Sequence, residues 1–520
     1  MTPDVVIVGA GPVGLMLGCE LALAGVRPLV LERLAEPVAV PKANGMVGQV
    51  VRLLDHRGLY ARCNGRGATP QALPEFFFGA MPLPLAKIEA NPLFAVMIPQ
   101  PEIERVFAER AAELGVEVQR SVDVMSLAQD AEGVTLRVKS GAAERELRTA
   151  YVVGCDGGHS TIRRQLGVAF PGISTDNLVS RGAYVSARSM AEIMARARSL
   201  SSMTVLKAGF NRTERGVFVF GTLQADRPLV NTLEWEVNRD GEWPGGGAPM
   251  TLGEMGASIS RVIGVELPAL EPPPPGPTLL RRLIGRNTRL AERYRVGRVF
   301  LAGDAAHVHA ASGGPGLNLG LQDAANLAWK LAAAIRGWAP ASLLDSYERE
   351  RHAAGARVFM QTQAQTALMA PGGDVTALRQ LFGELLQRPE NAQHIANLMA
   401  GTDVRYDMGD GAAHAWTGHF VPDLVLRTSG GSRRLAELMR EGRPLVIDWS
   451  TDGALREVAR GWRDRVALVG ADERHAPARA ALIRPDGYVA WAADGGDDAA
   501  VVARGLGQAL STWFGAPAAA

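Results

Sequence analysis

The chain has 520 residues, 47% of them hydrophobic, and its 55 basic and 54 acidic residues leave a net charge of +1, a size that suggests about three domains at ~150 residues each. That charge balance gives no basic footprint for nucleic acid or an anionic membrane, no apolar run reaches the ~18 residues of a membrane span, and no basic stretch marks a signal peptide. Three scattered cysteines (Cys19, Cys63 and Cys155) without a CxxC fit a reduced, cytoplasmic protein and argue against a disulfide framework or a zinc site.

Asp4 to Val8 is a short apolar run before glycine and is expected to be a buried strand. Gly9-Ala10-Gly11-Pro12-Val13-Gly14 follows, then apolar residues at helical spacing to Ala24, and a second strand from Pro28 to Leu31 closed by Glu32 and Arg33. In such a unit Gly9 makes the tight turn, Gly11 lets the backbone approach a pyrophosphate, and Gly14 lets helix and strand pack closely, with the helix N-terminus facing the negative charge. Glu32, 18 residues after Gly14, can accept both hydroxyls of an adenosine ribose and would repel a 2′-phosphate, so FAD or NAD is expected rather than NADP. The bland alternative is a glycine-rich turn in an unrelated sheet; the strands, helix and acid together weigh against it.

Pro99-Gln100-Pro101 opens a helix running from Glu102 to Leu114, with Gly115 as its stop. Val122 to Leu127 and Val134 to Val138 alternate like a hairpin. Tyr151 to Gly154 is another buried strand, running into Cys155-Asp156-Gly157-Gly158 and an Arg-bearing helix; Asp-Gly there is either an ordinary turn or a pyrophosphate contact. Arg163 and Arg164 read more readily as helix charges than as phosphate ligands. Leu178 to Ser186, Met203 to Ala208 and Val217 to Thr222 are strand-like, and Phe76-Phe77-Phe78, Phe94 and Met97 are expected to join the same sheet. Phe210, Phe218, Phe220, Trp235 and Trp243 can line an aromatic pocket, though core packing is the commoner use of such residues. Glu271 to Pro277 is a stiff connector expected to return the chain to Leu301.

Val299 to Leu301 ends on Ala302-Gly303-Asp304, followed by Ala305-Ala306-His307, a glycine-rich loop to Asn318, and long helices over Leu317–Arg336 and Leu343–Met369. A second phosphate- or ribitol-facing loop so far downstream suggests one extended cofactor gripped at both ends, as FAD would be. His307 and His309, two apart, are a weak metal signal; a structural hydrogen bond suits His307 better. After Met408-Gly409-Asp410-Gly411, strands at Pro444–Asp448, Arg465–Val469, Ala481–Ile483 and Tyr488–Trp491 alternate with helices at Leu455–Arg460 and the C-terminus.

These three motifs, in this order and at these separations, resemble the FAD-dependent aromatic hydroxylases of the p-hydroxybenzoate hydroxylase type. The resemblance covers roughly Met1 to Met399, and the extra C-terminal region brings it nearer to actinobacterial polyketide and antibiotic hydroxylases, rifampicin monooxygenases included. It implies an α/β fold: a Rossmann-like FAD-binding domain (1–175 and 280–400), an inserted β-sheet substrate domain (176–279, with 70–100 contributing to its sheet), and a thioredoxin-like domain (405–520). No cysteine lies beyond Cys155, so that last domain cannot exchange disulfides.

The implied FAD site takes Gly9, Gly11, Pro12, Val13, Gly14, Glu32 and Arg33 from the first unit and Lys42 and Gln100 from the segment after it. Asp156 would serve FAD and NADPH together. Gly303 and Asp304 would hold the ribityl chain, and the turn at Pro315, Gly316, Leu317 and Asn318 would start a helix facing flavin N1. Many relatives carry Arg at the positions of Lys42 and Gln49; lysine keeps the charge without the bidentate fork, and glutamine loses it. The implied activity is a cytoplasmic, NADPH-consuming monooxygenase that hydroxylates a bulky aromatic substrate with O2 through a flavin C4a-hydroperoxide, with no assignable catalytic side chain and no metal. Baeyer–Villiger insertion and antibiotic inactivation use the same fold. A flavin-binding partner without oxygenase chemistry is the reading of another class, and a homodimer is left open.

Overall fold

The structure is a computed structural model describing residues 2–38, 43–65, 69–198, 206–222, 226–235, 248–276, 278–309, 314–409, 414–450, 453–472 and 476–518. Lys42, Trp243, the loop 310–313 and the 203–205 part of one expected strand lie outside the described residues. Residues 206–208 carry no strand.

Val5–Val8 lies inside a six-stranded sheet ordered Arg295–Val296, Val299–Leu301, Tyr151–Gly154, Val5–Val8, Pro28–Glu32 and Glu117–Arg120. All its neighbours pair in parallel except the edge strand Arg295–Val296. Parallel strands are covered on both faces, which is why these runs are apolar throughout and not alternating; Val5, Val6, Ile7, Val152 and Val153 are fully buried. The helix Pro12–Leu23 packs against both Gln100–Glu113 and Pro315–Ile335. Three adjacent parallel strands therefore deliver the three glycine-bearing turns, Gly9–Gly14, Cys155–Gly158 and Gly303–Asp304, to one edge of the sheet. The crevice beyond the carboxyl ends of such strands is where ligands bind in open α/β sheets. The hairpin expected over Val122–Leu127 and Val134–Val138 is present as Asp123–Gln129 and Val134–Ser140 and gains a third strand, Ala143–Thr149.

A second six-stranded sheet, antiparallel throughout, is ordered Gly209–Thr213, Gly216–Gly221, Leu229–Trp235, Gly172–Tyr184, Leu280–Leu290 and His307–Val308. Its strands alternate. Ala183, Phe218 and Val230 pack under the helices Ala187–Arg198 and Leu252–Ile263 through Met190, Ile193, Met255 and Ile259. On the opposite face Phe210, Val217, Val219, Leu233 and Trp235 gather with Ala80 and Met369. Gly285 sits at φ +76° where the register slips between Thr175 and Val179, a bulge that only glycine adopts cheaply.

Two expectations need correction. The segment 70–100 adds no strand to this sheet among the described residues. Phe77–Phe78 pairs with Met81–Pro82, and Ala95–Val96 pairs with Met46–Val47; positive φ at Gly79 and Ala80 closes the first pair on itself. The connector after Glu271 does not return directly to Leu301. It feeds Leu280–Leu290, which still pairs along Gly172–Tyr184, so the expected boundary at 279/280 cuts off a strand of the second sheet.

The C-terminal unit is a four-stranded sheet, Ala467–Gly470, Leu445–Asp448, Ala480–Ile483 and Val489–Ala493, with helices Ala454–Ala459 and Ala499–Phe514. It docks on the first unit through buried charge. Arg484 donates to Glu350 at 2.7 Å and Lys330 reaches the same carboxylate at 2.8 Å. Arg57 pairs with Glu20 at 2.7 Å and donates to the carbonyls of Met439 and Pro485. Such pairs lose most of their Coulomb gain to desolvation, so their effect is alignment more than net stability. No helix among the described residues is long and apolar enough to cross a membrane.

Candidate functional site

The first turn is closed at two of its glycines and open at the third. Gly9 sits at φ +110°, and a Cβ there would strike the Cys155 carbonyl; one at Gly14 would strike the carbonyl of Gly9. A Cβ at Gly11 would meet nothing within 4 Å. Pro12 occupies the first helical turn, where its missing N–H costs no bond, and Val13 packs beneath Gly303 and Gly320. Glu32 accepts from Ala10 N at 2.8 Å on one oxygen and from Leu34 N at 2.9 Å on the other. This pins the carboxylate at the strand end with lone pairs to spare. Arg33 beside it is exposed.

At the second turn one oxygen of Asp156 accepts from Thr161 N at 2.7 Å and Ile162 N at 3.1 Å, and the other is buried without a partner. Arg163 is structural: it donates to the carbonyls of Ala305 and Gly158 at 2.8 Å each and lies 3.7 Å over the Phe170 ring. It thus ties the second turn to the third. Arg164 turns back to its own helix at Ser160 O.

At the third turn Gly303 has φ +60° and Asp304 is exposed. The helix Pro315–Ile335 begins after Gly314, at φ +67°, with no side chain capping its N–H groups. A Cβ at Gly316 would lie 3.9 Å from Asp304 Oδ1 and 4.0 Å from His309 Cδ2, so these residues surround the helix start. Leu317 packs on the core, and Asn318 Oδ1 accepts from Val47 N at 3.2 Å. Gln100 opens its helix, its backbone N–H donating to Ala43 O at 2.9 Å, and its side chain donates to Glu104. Gln49 is buried with its Oε1 unpartnered.

Beneath the third turn lies a buried hub. Asp323 meets His307 Nε2 at 2.6 Å, Gly303 N at 3.1 Å and Arg351 Nε at 2.7 Å. Arg351 continues to Tyr406 Oη at 2.8 Å. Burial opposes ionisation of Asp323, but His307 and Arg351 outweigh it and hold the carboxyl below its usual range. His309 stacks on His307, and its ring nitrogens have no partners; burial, then His307, lowers it to about 3, so it is a neutral imidazole. Burial pushes Cys19 up to about 12 and Cys63 up to about 11, which removes both as thiolate nucleophiles. No group of side chains with metal-ligand arrangement occurs among the described residues.

These features suit FAD. The open space at Gly11 between two packed glycines admits a pyrophosphate, the lone acceptor of Asp156 awaits a donor, and the uncapped helix at Pro315 offers N–H groups to an anionic ring edge. Residues 2–362 match the family described as FAD binding domain, and residues 414–517 match the aromatic-ring hydroxylase C-terminal domain. The chain belongs to this FAD-binding aromatic-ring hydroxylase family. It is 40% identical, over all of both chains, to a 12-dehydrotetracycline 5-monooxygenase/anhydrotetracycline 6-monooxygenase of Streptomyces rimosus. It is 38% identical to a rifampicin monooxygenase of Streptomyces venezuelae, covering 99% of each chain. The solved structure of the anhydrotetracycline hydroxylase OxyS from Streptomyces rimosus superposes with a TM-score of 0.84 at 39% identity, over all of both chains. The C-terminal unit of this family member is the thioredoxin-like domain of these hydroxylases.

Sequence reasoning missed Asp323 and Arg351. The usable signal was an acid within the largely apolar helix from Leu319 to Leu331, where a buried carboxylate needs a buried cation to be tolerated.

Proposed function

We propose that the chain is a cytoplasmic, FAD-dependent, NADPH-consuming monooxygenase that uses O2 to hydroxylate a bulky polycyclic phenol of the polyketide type. In this reading the parallel sheet and its helices hold the cofactor, the antiparallel sheet, with Leu280–Leu290 as one of its strands, covers the substrate, and 405–520 form the structural third domain. The observation that carries it is the strand His307–Val308. It follows the Gly303-Asp304 turn directly and is also the edge strand of the second sheet, so the half-apolar face of that sheet begins where the flavin site ends.

When bound, flavin supplies hydride acceptance and the activation of dioxygen. The residues do the rest. Glu32 would accept the ribose hydroxyls, and Gly11 would admit the pyrophosphate. Asp304 would take the ribityl chain, and the N-terminus of Pro315–Ile335 would favour negative charge on the ring by up to ~2 kcal/mol. Phe210, Val219, Leu233 and Trp235 would keep water from the reacting face.

The test is flavin reduction by NADPH, with and without a panel of polycyclic phenols, followed by product mass. Reduction accelerated by a panel member and a product heavier by one oxygen are expected. A flavin that NADPH reduces under no condition would overturn the reading in favour of a flavin-binding protein without oxygenase chemistry. Product structure would separate hydroxylation from ring expansion or drug inactivation, and sedimentation would report a homodimer.

A further inference from the structure

The buried arginines of the second sheet fall into two groups. Those on its helix-covered face are matched to acids: Arg181 to Glu234 at 2.7 Å and Glu254 at 2.9 Å, and Arg282 to Glu254 at 2.6 Å. On the other face Arg212 is held by the Ala370 carbonyl, and two more arginines have no acid beside them among the described residues. Arg281, directly opposite Gly182 in the ladder, lies between Leu280 and Arg282 and alternates with Arg282, so it points away from the paired side. Burial lowers its pKa, and among the described residues it makes no hydrogen bond or ion pair. Arg286 is half-buried and has one bond, Nε to Thr175 Oγ1 at 3.2 Å. Its Nη1 is buried without a partner, and again burial is the sole influence on its pKa.

The bulge at Gly285 puts both on one side. Beyond it, Arg286, Thr288 and Leu290 alternate together, and a Cβ at Gly355 would meet Leu290 Cδ1 at 2.8 Å. Leu290 therefore faces the helix Leu343–Met369. Met369 of that helix packs under Val217 with Phe210, Leu233 and Trp235, the face that Arg281 shares. Gln363 of the same helix also has a buried Nε2 with no acceptor. One guanidinium without a partner and a second with a buried free Nη1, beside an apolar wall with Leu283 exposed, are what a site for an acceptor-rich flat molecule requires. An uncompensated half-buried guanidinium is otherwise costly.

We propose that Arg281 and Arg286 recognise an anionic oxygen of the substrate, the phenolate or enolate of a fused aromatic ring, and so select ionised over neutral polycycles. This deepens the monooxygenase reading and rests on it for the identity of the pocket. The charge-assisted bonds of a guanidinium to an oxyanion are about twice as strong as neutral ones.

The experiment uses the oxidised, FAD-loaded full chain without NADPH, so its outcome stands apart from whether oxygen is inserted. Tryptophan quenching and flavin absorbance shifts are titrated with alizarin, ionised above neutral pH, and with its dimethyl ether, which cannot ionise. Wild-type protein is expected to prefer alizarin. Arg281→Gln and Arg286→Gln are each expected to weaken alizarin about tenfold and to leave ether affinity and flavin content unchanged, with Arg281→Lys recovering part of the loss. Equal loss for both ligands, no preference in the wild type, binding of neither ligand, or unchanged alizarin affinity in both variants would each overturn the proposal.

Discussion

At the scale of single residues, the first turn separates two duties that glycine performs. Gly14 is required by the protein itself, because any side chain would enter the carbonyl of Gly9. Gly11 is required by nothing in the protein, since its Cβ would find open space. Gly11→Ala is therefore expected to unfold like the wild type in the absence of cofactor yet bind FAD at least about tenfold more weakly. Gly14→Ala is expected to lose about 1–3 kcal/mol of stability through overpacking. Parallel apo-protein urea melts and FAD titrations would distinguish them; equal stability loss in both variants would refute the assignment of Gly11 to the ligand. Arg163 shows the converse: an arginine beside a candidate phosphate turn that is consumed by two carbonyls and an aromatic face.

At the scale of elements, the buried cluster of Asn326, Lys330, Glu350, Arg484 and Asp486 joins two long helices to a hairpin of the C-terminal domain. Burial drives the Lys330 ammonium down to about 7 despite the opposing pull of Glu350. An unfolded lysine titrates near ~10.4. Between those values the unfolded chain binds the extra proton, so this group makes stability rise with pH from about 7 toward ~10. Lys330→Met is expected to flatten that rise, read as Tm against pH; an unchanged slope would show that Lys330 stays charged. None of this was legible in the sequence, because Lys330 and Arg484 are 154 positions apart and only the folded docking places them on one carboxylate. The glycine turns were legible for the opposite reason. A backbone that must take positive φ or pass within contact of a phosphate restricts residue type locally, and an acid ending the second strand has a short-range purpose. The sheet partner of 70–100 was misjudged because aromatic runs report burial without naming the neighbour. The helices Ala187–Arg198 and Leu252–Ile263 went unread between strands whose alternation was the stronger pattern.

At the scale of the whole molecule, the third domain covers more than it adds. Trp329 of the first unit packs on Trp513 and Phe514, and Arg52, Arg57 and Glu350 all finish their bonding across the boundary. A chain ending near residue 404 would leave Glu350 and Arg57 short of partners and an aromatic patch exposed, and it is expected to be insoluble or to retain no FAD. In the intact protein, flavin release and tryptophan exposure should share one thermal midpoint. Two separated transitions would show that the domain melts independently. The edge strand His307–Val308 has a wider meaning. A lid normally needs a hinge, and on the proposed assignment the cover and the cofactor turn would be one continuous piece of backbone. Under that assignment a molecule seated badly against the cover would be felt as a displaced turn, and readiness to accept hydride would follow the fit of the guest without a separate sensor.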